Sequence, residues 1–186
     1  MDKKAVCVMA DGFFIGAEGK SKMDNITLIG MPGSGKSTVG VVLAKVLGYH
    51  FLDADLLIQA RQGALLQELL DAHGTEAFLD MEREAICSID CHRTVIAPGG
   101  SCVLREASMA HLKGLGKIVY LRLSLPELDH RITNLDSRGI AFAPGQGLKD
   151  VYAQRAPLYE RWADLTVDVD GQSLRETLDH VIHAIQ

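Results

Sequence analysis

The chain is poor in the features that mark several large protein classes. Its four cysteines, Cys7, Cys87, Cys91 and Cys102, form no Cys-x-x-Cys pair. That spacing excludes a small disulfide-stapled scaffold and fits a reducing cytoplasm. Lys and Arg are outnumbered, leaving a formal net charge of −5. Nucleic acid is therefore not expected as a partner, since phosphate backbones are held by clustered cations. No apolar stretch approaches the roughly 20 residues that a membrane-spanning helix needs, so no membrane partner is expected either. Repeats and low-complexity stretches are lacking too. A length of 186 residues, 47% of them hydrophobic, suits one α/β domain, expected to be a monomer. Cys87 and Cys91 fall beside His92 on a predicted helix, but with no second ligand pair they read as ordinary thiols rather than a metal site.

The first residues stand apart. Lys3-Lys4 followed by apolar residues 5–10 is similar to the start of a secretory leader, but Asp11 ends the run too early for one. Gly12, Gly16 and Gly19 then interrupt any regular element. Because Met23-Asp24-Asn25 immediately precedes the first strand, residues 1–24 are expected to be an appendage or the product of a misassigned start, and 25–186 the domain.

What is present is concentrated in one segment. Gly30-Met31-Pro32-Gly33-Ser34-Gly35-Lys36-Ser37 spells G-x-x-x-x-G-K-S between the apolar run 26–29 and a periodic segment over 38–47. Such a loop turns successive backbone N–H groups of Gly33, Ser34 and Gly35 toward phosphates, and the next helix adds the positive end of its dipole. Lys36 supplies a point charge to the β and γ phosphates, and Ser37, followed by Thr38, offers a hydroxyl to Mg²⁺. A glycine turn that merely joined a strand to a helix would not need Gly-Lys-Ser at the helix start.

Further along, 50–52 reads as a short strand running into Asp53-Ala54-Asp55, at the strand end where α/β sheets bind ligands. Taken alone, those aspartates are equally a helix cap and a solvated acid. Helical patterns follow at 56–61, 64–72 and 75–90, the last two broken at His73-Gly74. Strands are expected at 94–97, stopping at Pro98-Gly99-Gly100, at 117–123 and at 165–169, with helices at 126–133 and 173–185. Alternation of this kind implies a parallel sheet covered on both faces. The Gly- and Pro-bearing segment 134–147, with Arg138, reads as a mobile lid.

Taken in order, these motifs identify a resemblance to shikimate kinase over residues 25 to about 185. It rests on the P-loop with Lys36, Ser37 and Thr38, on Asp53-Ala54-Asp55, on Phe78 with Glu82 after Gly74, and on Gly99-Gly100. Arg131, Arg138 and Arg155-Ala156-Pro157-Leu158-Tyr159 complete the set. The resemblance implies a three-layer P-loop kinase fold, with a central parallel sheet of about five strands, helices on both faces and a mobile lid. It implies ATP and Mg²⁺ as cofactors, a small hydroxylated acid as acceptor, and a place in amino-acid biosynthesis. Asp53 would hold Mg²⁺ through water, and Asp55 would take the acceptor hydroxyl. Arg131 would stack on adenine near Gln172, and Arg138 would close on the phosphates. Arg155 would bind the acceptor's carboxylate with the Gly99-Gly100 turn.

Three positions depart from that family. Leu79 stands where the Phe-Arg-x-x-Glu motif carries a carboxylate-binding arginine, Ser101 replaces the third glycine of a Gly-Gly-Gly turn, and Gly139 replaces a proline after Arg138. With Leu79 in the acceptor site, Glu82 loses its partner. Arg83, one turn beyond Leu79, is expected either to swing in and preserve shikimate kinase activity or to stay out. In the second case Arg155, Glu82 and Asp55 would suit a carboxylate, an ammonium and a hydroxyl, a set that describes a hydroxy amino acid such as homoserine. Other readings are a nucleotide-binding module without catalysis, and a related gluconate or nucleoside monophosphate kinase. The Asp53-x-Asp55 pair and the Gly99-Gly100 turn favour the shikimate branch.

Overall fold

The computed structural model describes residues 25–131 and 147–186. The expected appendage at 1–24 and nearly all of the expected lid, Arg138 included, lie outside the described residues.

Five parallel strands form one sheet in the order β2-β3-β1-β4-β5. They are β1 (Asn25–Ile29), β2 (His50–Asp53), β3 (Thr94–Ala97), β4 (Gly116–Arg122) and β5 (Leu165–Asp168). Apolar runs rather than alternating patterns make β1 and β3, as befits strands covered on both faces. Leu28, Ile29, Val95 and Ile96 are fully buried. Flanking helices are α1 (Lys36–Leu47), α2 (Ala54–Gln62), α3 (Leu66–Cys87), α4 (Glu106–Leu115), α5 (Leu125–Arg131), α6 (Leu148–Trp162) and α7 (Leu174–Ile185). Among the described residues no helix is long and apolar enough to cross a membrane.

From β1 the chain moves outward to β2, returns through β3, and then crosses β1 to reach β4 and β5. That reversal brings the carboxyl ends of β1, β2 and β3 to one crevice, the position in which open α/β sheets hold ligands. The expected break at Gly74 is real: this residue has φ 76° and ψ 171° inside α3. At the far end Ser173 caps α7, its Oγ accepting the Glu176 N–H at 3.3 Å while Glu176 Oε2 accepts the Ser173 N–H at 2.8 Å. This Ser-x-x-Glu arrangement satisfies donors that the first helical turn leaves open.

Two features escaped the sequence. Helix α4 was not expected, because Ser108, His111 and Gly114 blur its apolar period and Arg105 caps it with no side-chain bond. Asn25 acts as a clip beneath the sheet. Its Nδ2 donates to the carbonyls of Cys91 and Leu115 at 2.7 and 3.2 Å, and its Oδ1 accepts the Thr94 N–H at 2.9 Å. The starts of β1, β3 and β4 are thereby tied together through one buried amide.

Candidate active site

Backbone conformation explains the glycines after β1. Gly33 and Gly35 have φ of 84° and 92°, left-handed values that glycine reaches without steric cost. A Cβ on Gly30 would meet the Leu121 carbonyl at 2.7 Å and Ser34 Oγ at 2.8 Å. This loop opens directly onto the N-terminus of α1, an arrangement that favours bound phosphate. Lys36 is 9% exposed, and its Nζ donates to the carbonyls of Gly30 and Met31 at 2.9 and 3.0 Å. Burial lowers its pKa, against the pull of the Asp55 and Asp53 charges.

Ser37 Oγ donates to Asp53 Oδ2 at 2.8 Å. A hydroxyl and a carboxylate oxygen so placed are hard donors of the type that suits Mg²⁺. The other oxygen of Asp53 accepts the Asp55 N–H at 3.0 Å and caps α2. Cap and candidate metal contact are thus compatible, one for each carboxylate oxygen. Asp55 is not a solvated acid: it lines the cleft, and its pKa is raised to about 6, by burial first and by repulsion from Asp53, with Lys36 opposing.

The cleft has a volume of about 280 Å³, near the lower end for small-molecule sites. Gly33, Gly35, Lys36, Ser37 and Thr38 line its donor side. Its acceptor side is built from Asp55 on α2, Phe78 and Glu82 on α3, the Gly99-Gly100-Ser101 turn after β3, and Arg155 on α6. Ser34 is buried within the loop, 2% exposed, rather than lining the cleft.

Side chains on the acceptor side are closely confined. Arg155 and Glu82 are each 1% exposed. A Cβ on Gly99 would overlap Glu82 Oε1 and lie 2.9 Å from Asp55 Oδ1. The missing side chain makes room for two carboxyl groups. Ser101 Oγ donates to Glu82 Oε1 at 2.9 Å, while Glu82 Oε2 is buried with no hydrogen-bond partner. The Glu82 pKa is raised to about 7, chiefly by burial and further by Asp55, with Ser101, Arg155 and Lys36 opposing. Tyr159, one turn beyond Arg155 on α6, donates from its hydroxyl to the Gly100 carbonyl at 2.5 Å and stacks on Tyr120 at 5.2 Å between centroids. These contacts hold the turn in place from behind.

Leu79 does not line the cleft; it is 3% exposed, within the core. Arg83 also points elsewhere. Its Nε lies 3.5 Å from Asp80 Oδ1 and its Nη2 3.5 Å from Glu84 Oε1, and it is not among the lining residues. The expected swing of Arg83 into the site is therefore not what the structure has, because two neighbouring carboxylates hold it outside.

Arg131 and Gln172 come together at a separate point, beyond the end of β5. Arg131 Nη2 and the Gln172 N–H both donate to the Val169 carbonyl, at 2.8 and 3.4 Å, and Glu127 Oε1 accepts from Arg131 Nε at 2.7 Å. A guanidinium pinned in this way can present a flat face to a ring. Ser101 and Tyr159 are the site residues missing from the sequence expectation. The signal for Tyr159 was its place in the Arg155–Tyr159 motif, and for Ser101 its position next to two glycines.

Comparison with known proteins agrees with the family resemblance and the fold. The family profile described as shikimate kinase matches residues 32–186. The shikimate kinase of Thiobacillus denitrificans is 38% identical over 157 residues, 83% of this chain and 86% of its own length. Threonine synthase-like 1 of Macaca fascicularis is 35% identical over 165 residues, 87% of this chain and 22% of that protein. A solved structure, shikimate kinase from Acinetobacter baumannii in complex with shikimate, has a TM-score of 0.79 at 28% identity, covering 87% of this chain and 92% of that one.

Proposed function

The chain belongs to the shikimate kinase family, an ATP-dependent small-molecule kinase, and we propose on that premise that it phosphorylates a hydroxyl of a small carboxylate-bearing acceptor, with shikimate the first candidate. The observation that carries this reading is the convergence of the P-loop, Asp55, the Gly99-Gly100 turn and buried Arg155 on one cleft. In the reaction the acceptor oxygen forms a bond to the γ-phosphorus and loses its proton, while the bond from that phosphorus to the β–γ bridging oxygen breaks and ADP leaves. Positioning and charge neutralisation dominate such transfers.

Each residue has a task that follows from its setting. Lys36 neutralises charge on the phosphates. Asp55, with a pKa near 6, is ionised at neutral pH and orients the acceptor hydroxyl and takes its proton. Arg155 binds the acceptor's carboxylate, helped by the N–H of Gly100. Ser37 and Asp53 would hold Mg²⁺, which supplies further neutralisation when bound. Arg131 and Gln172 would flank adenine, and Arg138 would close over the phosphates. A cytoplasmic monomer is our reading.

A second reading, a hydroxy amino acid such as homoserine, is favoured by Leu79 lying in the core and Arg83 being held outside, so that no cation from α3 enters the cleft. The test is ADP release by purified protein with Mg-ATP and shikimate, homoserine or gluconate, with mass analysis of each product. Phosphorylated shikimate supports the first reading and phosphorylated homoserine the second. Mg-ATP binding without phosphorylation of any acceptor would overturn the kinase proposal.

A further inference from the structure

Helix α3 is broken just before the part of it that faces the cleft. Gly74 has φ 76° and ψ 171° there, and a Cβ on it would meet nothing within 4 Å, so this glycine serves the backbone shape rather than close packing. Beyond the break, Phe78 and Glu82 form part of the cleft wall. Phe78 packs in a small apolar cluster with Ile58, Leu69 and Ala85, while α3 contributes Ile86, near its end, to the main core. Polar contacts join the earlier part of this stretch to the turn after β3. On the cleft side Ser101 Oγ donates to Glu82 Oε1 at 2.9 Å. On the outer side Arg105, which follows the 3₁₀ turn Cys102–Leu104, reaches back to α3. Its Nη2 donates to Glu76 Oε2 at 2.8 Å and to the Glu76 carbonyl at 3.4 Å, and lies 3.4 Å from Asp80 Oδ1. Arg83 Nε approaches the same Asp80 oxygen at 3.5 Å, so Glu76 is the closer partner of Arg105.

We propose that Arg105 is a positioning residue of the acceptor site, which fixes through Glu76 the place of Phe78 and Glu82 relative to the Gly99-Gly100 turn. The inference rests on the kinase reading above and on no particular acceptor. Arg105 is not among the residues that line the cleft, so its effect passes through α3. An exposed ion pair is by itself worth little, and the carboxylates of Glu76 and Asp80 are open to solvent. Arg105 differs from a surface partner in two respects. Only 25% of its side chain is exposed, and its Nε is buried with no hydrogen-bond partner. A guanidinium free to turn would take that N–H to water, so the Nη2 contacts hold it down against α3. Both ties join the same two segments, one on each side of the wall. Loosening the outer one lets the wall shift at the Gly74 break, while the P-loop, built from other elements, keeps its shape. A misplacement of about 1 Å is enough to weaken a bound substrate's alignment.

Two measurements on Arg105→Ala and Glu76→Gln separate this role from that of a surface ion pair. The first is steady-state ADP release with Mg-ATP and shikimate. Arg105→Ala should raise KM for shikimate about 3- to 10-fold, with kcat and KM for ATP within about 2-fold of wild type. Glu76→Gln should act in the same direction, and the double variant should be no worse than Arg105→Ala, since either change removes the same contact. Asp80→Asn, whose oxygen Arg83 also approaches, should do less than Glu76→Gln. The second measurement needs no acceptor: amide hydrogen exchange over residues 78–87 should quicken in Arg105→Ala, while exchange in β1 and α1 is unchanged. An unchanged KM for shikimate, a loss confined to kcat, equal rises in both KM values, or unaltered exchange over 78–87 would overturn the proposal. If Arg105→Ala does not fold, Glu76→Gln, which alters one exposed side chain, carries both measurements. If wild type does not phosphorylate shikimate, that candidate acceptor fails separately and hydrogen exchange decides alone.

Discussion

One contiguous run, Gly30 to Ser37, supplies the donor side of the cleft, whereas Asp55, Glu82, Ser101 and Arg155 reach the acceptor side from α2, α3, the turn after β3 and α6. The donor side is largely backbone, set by glycine φ angles and a helix N-terminus. Its chemistry survives changes elsewhere because phosphate recognition needs only N–H groups and one lysine. On the acceptor side, recognition depends on the side chains that a few positions carry. Reaction type and acceptor identity are thus separable properties of this molecule.

Replacing a residue on each side should reveal that separation. The largest effect is expected for Lys36→Ala, which should lower kcat about 10³-fold with every acceptor that works, because charge stabilisation of the transferring group is common to all of them. Steady-state ADP release across the acceptor panel measures it, and a loss confined to one acceptor would contradict the division between the two sides.

Next is an effect of pH on stability that belongs to the acceptor side. The folded-state pKa of Glu82, about 7, lies above its ordinary 4.5, so the native protein binds this proton more tightly than the unfolded chain does. The resulting stabilisation is complete below about pH 4.5 and is lost as pH rises to about 7, a change of roughly 3 kcal/mol. Asp55, raised to about 6, acts with the same sign. Urea unfolding at pH 5 and pH 7.5 should show a smaller decline in Glu82→Gln than in wild type; identical declines would remove Glu82 as the source.

Arg155→Lys keeps the charge but loses the planar fork that can grip a carboxylate with two parallel bonds. KM for the acceptor should rise about 10- to 30-fold, with KM for ATP unchanged. A matching rise in both constants would show that the two sides are coupled. Smallest of all, Tyr159→Phe removes the hydroxyl that donates to the Gly100 carbonyl. It should cost about 1 kcal/mol of stability, read as a lower urea midpoint.

Legibility followed the same division. The P-loop, the Asp53-x-Asp55 pair and the strand at 94–97 were readable because each is a local pattern with a local physical cause. Asp53 shows the limit of such reading: helix cap and metal-facing acid were competing interpretations, and the structure has the cap on one oxygen and Ser37 on the other. Helix α4 was missed because its stability comes from contact with α3 and β4 rather than from a clean apolar period. Arg83 was expected as a candidate replacement on helical spacing alone, and spacing does not register the carboxylates of Asp80 and Glu84 that compete for it.

The sequence by itself determined that this chain carries a P-loop after its first strand and belongs among small P-loop kinases, because those properties reside in consecutive residues and the backbone shapes they permit. Only the tertiary structure decided that Leu79 is core, that Arg83 stays outside, and that Ser101 holds Glu82 with one oxygen left over. Those outcomes depend on which distant side chains meet in a buried space, where an unpaired charge is costly and each close neighbour changes what its partner can bind.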